Sequence, residues 1–238
     1  ITFETFAQTP NSNRYFVNKS ATGSNNGSSW TNAWTSFANI NWSGMSAGDT
    51  IYISGGNEST LYSESMTVGR SSITITKGTS SGHNGRVIFY DNTLNGNAII
   101  AGNNRDNVAI TDLEFQGWHI PIFANGNFDS LKIENCRITD YREFGIATNG
   151  VPDTTGNRTN LWIINNHISY REGGNPTYIQ IDGMSIYNVR NFFCIGNTFI
   201  NNDTDSDDTH NDFIQASYNT NQYYINNLFY TKNNFAAG

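Results

Sequence analysis

Charge is scarce in this chain. Of its 238 residues only 14% are Asp, Glu, Lys or Arg, and just four are Lys. The formal net charge is −7, so the basic surface that a nucleic acid or an anionic membrane would require is missing. Proline is held to four residues and cysteine to Cys136 and Cys194. No apolar stretch reaches the ~18 residues of a membrane-crossing helix, so no membrane insertion is expected. A starting Met, a signal-like segment and a tag are also absent, which predicts a mature secreted or cell-surface protein whose leader has been removed. At this length, one elongated domain is the natural expectation.

Asparagine and a repeat stand in their place. The chain carries 37 Asn and 22 Gly. One pattern recurs five times: Ile110 to Phe115, Ile133 to Ile138, Ile163 to Ile168, Cys194 to Phe199 and Tyr224 to Phe229. Its first residues are spaced 23, 30, 31 and 30 apart, and its last apolar residues (115, 138, 168, 199, 229) keep that spacing. A period of this size marks a solenoid, propeller or array. Each unit adds a second apolar stretch: His119 to Phe123, Phe144 to Ala147, Met184 to Ile186 and Ile214 to Ala216. The runs are short, β-branched or aromatic, and lack helical periodicity, so the unit is a coil of strands. Coils of 23 to 31 residues predict an all-β, right-handed parallel β-helix whose stacked aliphatic residues fill the inside.

The Asn positions fit that stack. Asn135 and Asn165 lie one coil apart, as do Asn166, Asn197 and Asn227. Asn tolerates left-handed backbone, and its amide can bond neighbouring coils, so these ladders are expected to be structural. Cys136 occupies the Asn position of its coil, and Cys194 lies two coils on. Two coils are about 9.6 Å, beyond the reach of a disulfide. Two buried free thiols are expected.

Residues 1–13 read as an extension strand and linker, 14–47 as a cap, and 48–238 as the coils. Within the cap, Trp30, Trp34 and Phe37 fall at i, i+4 and i+7, which predicts a short helix over the first coil, capped by Ser28 or Ser29. Strands at Thr50–Ile53, Ser72–Thr76 and Arg86–Tyr90 then open the stack.

The run from Tyr15 to Gly56, together with Asp182-Gly-Met-Ser-Ile186 and His210-Asn-Asp-Phe-Ile-Gln215, resembles secreted right-handed β-helix proteins of the pectate-lyase-like superfamily. The resemblance covers most of the chain. It implies the fold and leaves function open, because that superfamily holds polysaccharide lyases, epimerases, glycosidases, tailspikes and adhesins.

A lyase acting on an acidic polysaccharide must neutralise a carboxylate and supply a base. The candidates are Asp182 and Asp212, which are 30 residues apart and so equivalent on adjacent coils, with His210 as base and Arg142 and Arg171 in neighbouring turns. Parity counted from Met184 and Ile214 points both Asp inward unless the chain bends. Asp203, Asp205, Asp207 and Asp208 alternate as in a calcium loop. They lack the Gly and Glu of an EF-hand, so a calcium-stabilised turn is expected rather than a catalytic calcium. Trp162, Tyr170 and Tyr178 are candidates for stacking on sugar rings. The arginine signature of pectate lyases is not apparent.

The competing expectation is a structural protein whose partners are copies of itself. Ile1 and Phe3 share one face of a strand-prone segment that also holds Phe6. At the other end the repeat stops at Tyr224 to Phe229, with nine residues after it that include Tyr230 and Phe235, and no amphipathic cap helix is visible. Such a segment can add as a strand to the open coil of a neighbour, a head-to-tail contact that builds fibres. The non-enzymatic, self-assembling reading is preferred, with an extracellular polysaccharide as the alternative partner.

Overall fold

A computed structural model gives the structure of residues 13–93, 95–102, 104–148, 157–170, 181–201 and 212–231. The chain runs repeatedly through three faces, and each face is an all-parallel sheet. The first face stacks eight strands: Arg14–Val17, Thr50–Ile53, Ile73–Lys77, Val108–Thr111, Phe128–Glu134, Arg158–Ile164, Val189–Ile195 and Thr220–Ile225. Seven form the second: Ser59–Tyr62, Arg86–Tyr90, Glu114–Gln116, Arg137–Thr139, His167–Ser169, Thr198–Asn201 and Leu228–Thr231. The third has six: Met66–Thr67, Asn97–Gly102, Ile120–Asn125, Phe144–Thr148, Asp182–Tyr187 and Ile214–Ser217. Faces alternate in strict order along the chain, so each circuit is one coil of a parallel β-solenoid.

The register turns the sequence repeat into columns. On the first face Ile51, Ile75, Ile110, Ile133, Ile163, Cys194 and Tyr224 are successive partners. The second face lines up Tyr62, Phe89, Phe115, Ile138, Ile168, Phe199 and Phe229. Met66, Ile99, Ile122, Ile146, Met184 and Ile214 form the third column. These columns meet along the axis as a single hydrophobic core. Each fully buried Ile or Phe contributes roughly 1.5–3 kcal/mol. Both thiols are buried and free, and burial pushes each up to about 12, so they stay protonated at neutral pH.

Asparagine closes the turns. Asn135, Asn165 and Asn226 sit at φ 54°, 53° and 52°, and Gly196 fills the same place in its coil at φ 67°. One residue later the side chain points inward. Asn166 Oδ1 accepts from Cys136 N (2.8 Å), Asn197 Oδ1 from Asn166 N (2.8 Å), and Asn227 Oδ1 from Asn197 N (2.9 Å). Their amide nitrogens donate to the carbonyls of Ile133, Ile163 and Cys194. Every amide therefore bonds the coil before it at two points. A second ladder runs outside: Asn191 Nδ2 donates to Asn160 Oδ1 and Asn221 Nδ2 to Asn191 Oδ1, each at 2.9 Å.

The cap is not the expected α-helix. It contains two 3-10 turns, Phe37–Asn39 and Trp42–Gly44, and Ser36 rather than Ser28 or Ser29 caps the first, accepting from Ala38 N. Trp34 is extended: its N–H donates to Phe16 O (2.9 Å), and its carbonyl accepts from Asn18 N (2.8 Å). The Ser, Thr and Asn between the aromatic residues compete for backbone bonds and favour turns over helix. Closure is achieved all the same, because Trp34, Phe37, Ile40 and Met45 are buried over the first coil. Trp30 goes elsewhere and stacks on His83, with ring centroids 3.9 Å apart.

Two predictions follow from these contacts. Asn197→Ala strips partners from Asn166 N and Ile163 O inside the coil, and should cost about 3 kcal/mol in urea unfolding. Asn226→Ala, which faces only a backbone penalty, should cost about 1–2 kcal/mol. Equal losses would mean that the inner amides are not what locks the coils. The second concerns His83, whose Nδ1 lies 2.9 Å from Ser54 Oγ and whose pKa burial lowers. The folded state therefore prefers the neutral ring. Its contribution to stability is complete above about pH 6.5 and is lost as pH falls through the lower folded value. His167 is shifted down too, by burial and then by Arg137, so His83→Gln should flatten the acid limb of the melting profile without abolishing it. An unchanged acid limb would rule His83 out as a contributor.

Candidate functional site at the last coil

The strands Ile214–Ser217, Thr220–Ile225 and Leu228–Thr231 end their respective sheets, and no described strand pairs with their outer edges. The inward positions of this coil are apolar because the column pattern continues into it, yet nothing described covers them. Tyr224 is 46% exposed where its column partner Cys194 is 0%, and Phe229 is 45% exposed where Phe199 is 1%. Leu228, Tyr230 and Ile225 are exposed beside them. Phe229 stacks on Phe199 with centroids 5.1 Å apart, leaving its other side toward the open end. The Tyr224 hydroxyl donates to Gln222 Oε1 (2.7 Å), and burial, with Cys194 second, pushes it up to about 12. The end thus offers rings, amides and a row of backbone groups. Such a surface can pair with an added strand.

Of the predicted lyase residues, Asp182, Asp212 and Arg142 lie among the described ones. Asp182 and Asp212 do lie on adjacent coils, but Asp182 is fully buried and its Oδ1 accepts from Asp212 N at 2.9 Å. Asp182 N in turn donates to Glu143 O. The carboxylate bridges coils from inside and cannot touch a polymer. Its charge, after the larger effect of burial, helps hold the neighbouring Tyr141 phenol well above the usual range. Beside it Tyr141, Tyr170, Gly183, Asp212 and Phe213 border a pocket of about 10 Å³. That is room for roughly one water, against 300 Å³ or more for a substrate cleft. Arg142 donates to Asn95 Oδ1 at 3.2 Å. The same corner pairs His119 Nε2 with Glu143 Oε2 at 2.7 Å, a contact that no motif in the sequence flagged.

The sugar-stacking candidates fare similarly. Tyr170 is buried against Tyr141, so it presents no ring face to solvent. One face of Trp162 is covered by Phe193, with centroids 3.7 Å apart and planes within 6°. His210, Arg171, Tyr178, Asp203, Asp205, Asp207, Asp208, Ile1, Phe3, Phe6 and Phe235 lie outside the described residues. Among the described residues, no three His, Cys, Asp or Glu side chains come together to hold a metal ion. No family model, curated protein or solved structure matches this chain.

The role of Asp182 can be tested by stability. Asp182→Asn keeps an oxygen for Asp212 N and should stay within about 1 kcal/mol of the parent, whereas Asp182→Ala orphans that N–H and should cost about 2 kcal/mol. Two variants of equal stability would remove the bridging role.

Proposed function

We propose that this chain is a non-enzymatic structural protein, a right-handed β-helix acting outside the cell, and that its last coil takes up the N-terminal segment of another copy, head to tail. The observation that carries this reading is the contrast within two columns: Cys194 and Phe199 are buried, while their partners Tyr224 and Phe229, one coil on, are about half exposed. An open coil with unpaired strand edges is a template for a further strand, and natural proteins normally protect such edges. Right-handed crossing is the near-universal hand of parallel connections. The kinship with pectate-lyase-like proteins rests on the sequence resemblance alone. No helix among the described residues is long and apolar enough to cross a membrane. The polysaccharide reading has less support, since Asp182 is internal.

Negative-stain microscopy and sedimentation of the untagged protein test this. The parent should form filaments with a regular axial repeat. Deletion of residues 1–9 and Phe229→Asp should each give soluble particles with the parental circular dichroism. If filaments persist after the deletion, strand donation is wrong. If they persist in Phe229→Asp, the last coil is not the docking surface.

A further inference from the structure

The outer surface of the first face changes character along the axis. Its two outward columns read Lys132, Trp162, Phe193, Tyr223 and Glu134, Ile164, Ile195, Ile225. In three successive coils they present only rings and aliphatic branches. Tyr223 and Ile225 are exposed, and the other four are half-buried. None of these six helps fill the core, because Leu161, Ile163, Phe192 and Cys194 alternate with them and point inward. The rings are stacked along the axis: Trp162 on Phe193 and Phe193 on Tyr223 are each within 6° of parallel. Rings stacked face on face along the axis turn their edges, not their faces, to solvent. A sugar stacks on a ring face, so a carbohydrate is poorly served here.

A surface repeating once per coil is best met by another with the same repeat. Below the apolar rows, Lys132 Nζ and Glu134 Oε2 pair at 2.7 Å and form the lower border of the patch. We propose that this face is a two-fold contact with a second copy of the chain, the two solenoid axes parallel and coil lying against coil. A two-fold axis running between the columns exchanges them. Trp162, Phe193 and Tyr223 then face Ile164, Ile195 and Ile225 of the second copy, and Lys132 faces its Glu134. The charges are complementary only because one column ends in Lys and the other in Glu. The contact is isologous and therefore closes as a dimer. It differs from the end-on contact proposed above and does not depend on it. Three coils about 4.8 Å apart and two columns wide cover a few hundred Å² per copy, below the ~800 Å² of a standard partner surface. The dimer is therefore reversible and concentration-dependent.

The register can be tested directly. Full-length chains carrying Phe193→Cys or Ile195→Cys are mixed, in parental and Phe229→Asp backgrounds alike, with a short bis-maleimide suited to sheets about 10 Å apart. Cys136 and Cys194 are buried and protonated, so the unsubstituted chain serves as a blank. The mixture should yield cross-linked dimer several-fold faster than either variant alone. Equal rates in all three reactions, or no dimer, overturn the proposal. Sedimentation equilibrium supplies an arm that leaves the apolar face intact. Lys132→Glu should weaken dimerisation at least tenfold, and the swap of Lys132→Glu with Glu134→Lys should restore it. A chain that is monomeric at every concentration, or a single variant that associates like the parent, also overturns it. Loss of dimer without loss of filaments would leave the end-on reading standing, and the reverse would leave this one.

Discussion

The strands of each coil in this protein find their backbone partners in the coils before and after it. An isolated coil has no partner within itself and buries no core alone. Stacking in strict parallel register is thus the condition on which the rest depends. Register makes the columns, and the columns make the core. The interior can be one Ile thick on the first face and one aromatic ring thick on the second because each residue rests on its equivalent one coil away. Since turns must also stack, the ladders of Asn166, Asn197 and Asn227 form where the chain leaves the first face.

The same condition explains why polar side chains lie inside. Asn166, Asn197 and Asp182 are buried, and each spends its side-chain oxygen on a backbone N–H of an adjacent coil. A buried carboxylate would ordinarily point to chemistry. Here, among the described residues, its oxygen meets the Asp212 amide and its charge acts on the Tyr141 phenol, and the arrangement is that of an internal tie. At the first coil the backbone requirement is met by the extended Trp34 segment, which bonds Phe16 and Asn18 as a strand would. At the last coil no described residue meets it.

Much of this was legible from residue spacing. The residues that open and close the five repeated hexapeptides became the interior columns of the first and second faces, and the second apolar stretch of each unit became the third. The signal was strong because a solenoid imposes one register on every coil. The cap was misread because Trp30, Trp34 and Phe37 imitate a helical face, while the intervening Ser, Thr and Asn favour turns. Parity pointed both Asp182 and Asp212 inward: Asp182 is buried, but Asp212 is exposed, and its N–H meets Asp182 Oδ1, a bond that needs the path of the next coil. The outer ladder of Asn160, Asn191 and Asn221, spaced 31 and 30 apart, was equally available in the sequence. These Asn fall outside the repeated hexapeptides, and so do the outward rings, of which Trp162 is a stacking candidate by sequence and Phe193 and Tyr223 are not.

Those outward positions separate folding from function. Thr76, Thr111, Glu134, Ile164, Ile195 and Ile225 occupy one column on one face. Their backbones pair alike and all point away from the core, so the coil accepts a hydroxyl, a carboxylate or a branched alkane there. Folding does not demand that the last three be apolar. Exposing them in water has a cost that polar residues at the same places avoid, as the earlier coils demonstrate. The column opens with Phe16 and Tyr52 beside the cap, turns polar at Thr76, Thr111 and Glu134, and is aliphatic only in its last three coils. Both the outer patch and the exposed inward residues of the last coil therefore lie at the same end of the solenoid, where no described strand pairs with the outer edge. The association proposed at that end would cover surface that no described residue covers, whereas the cap already buries Trp34, Phe37, Ile40 and Met45 over the first coil.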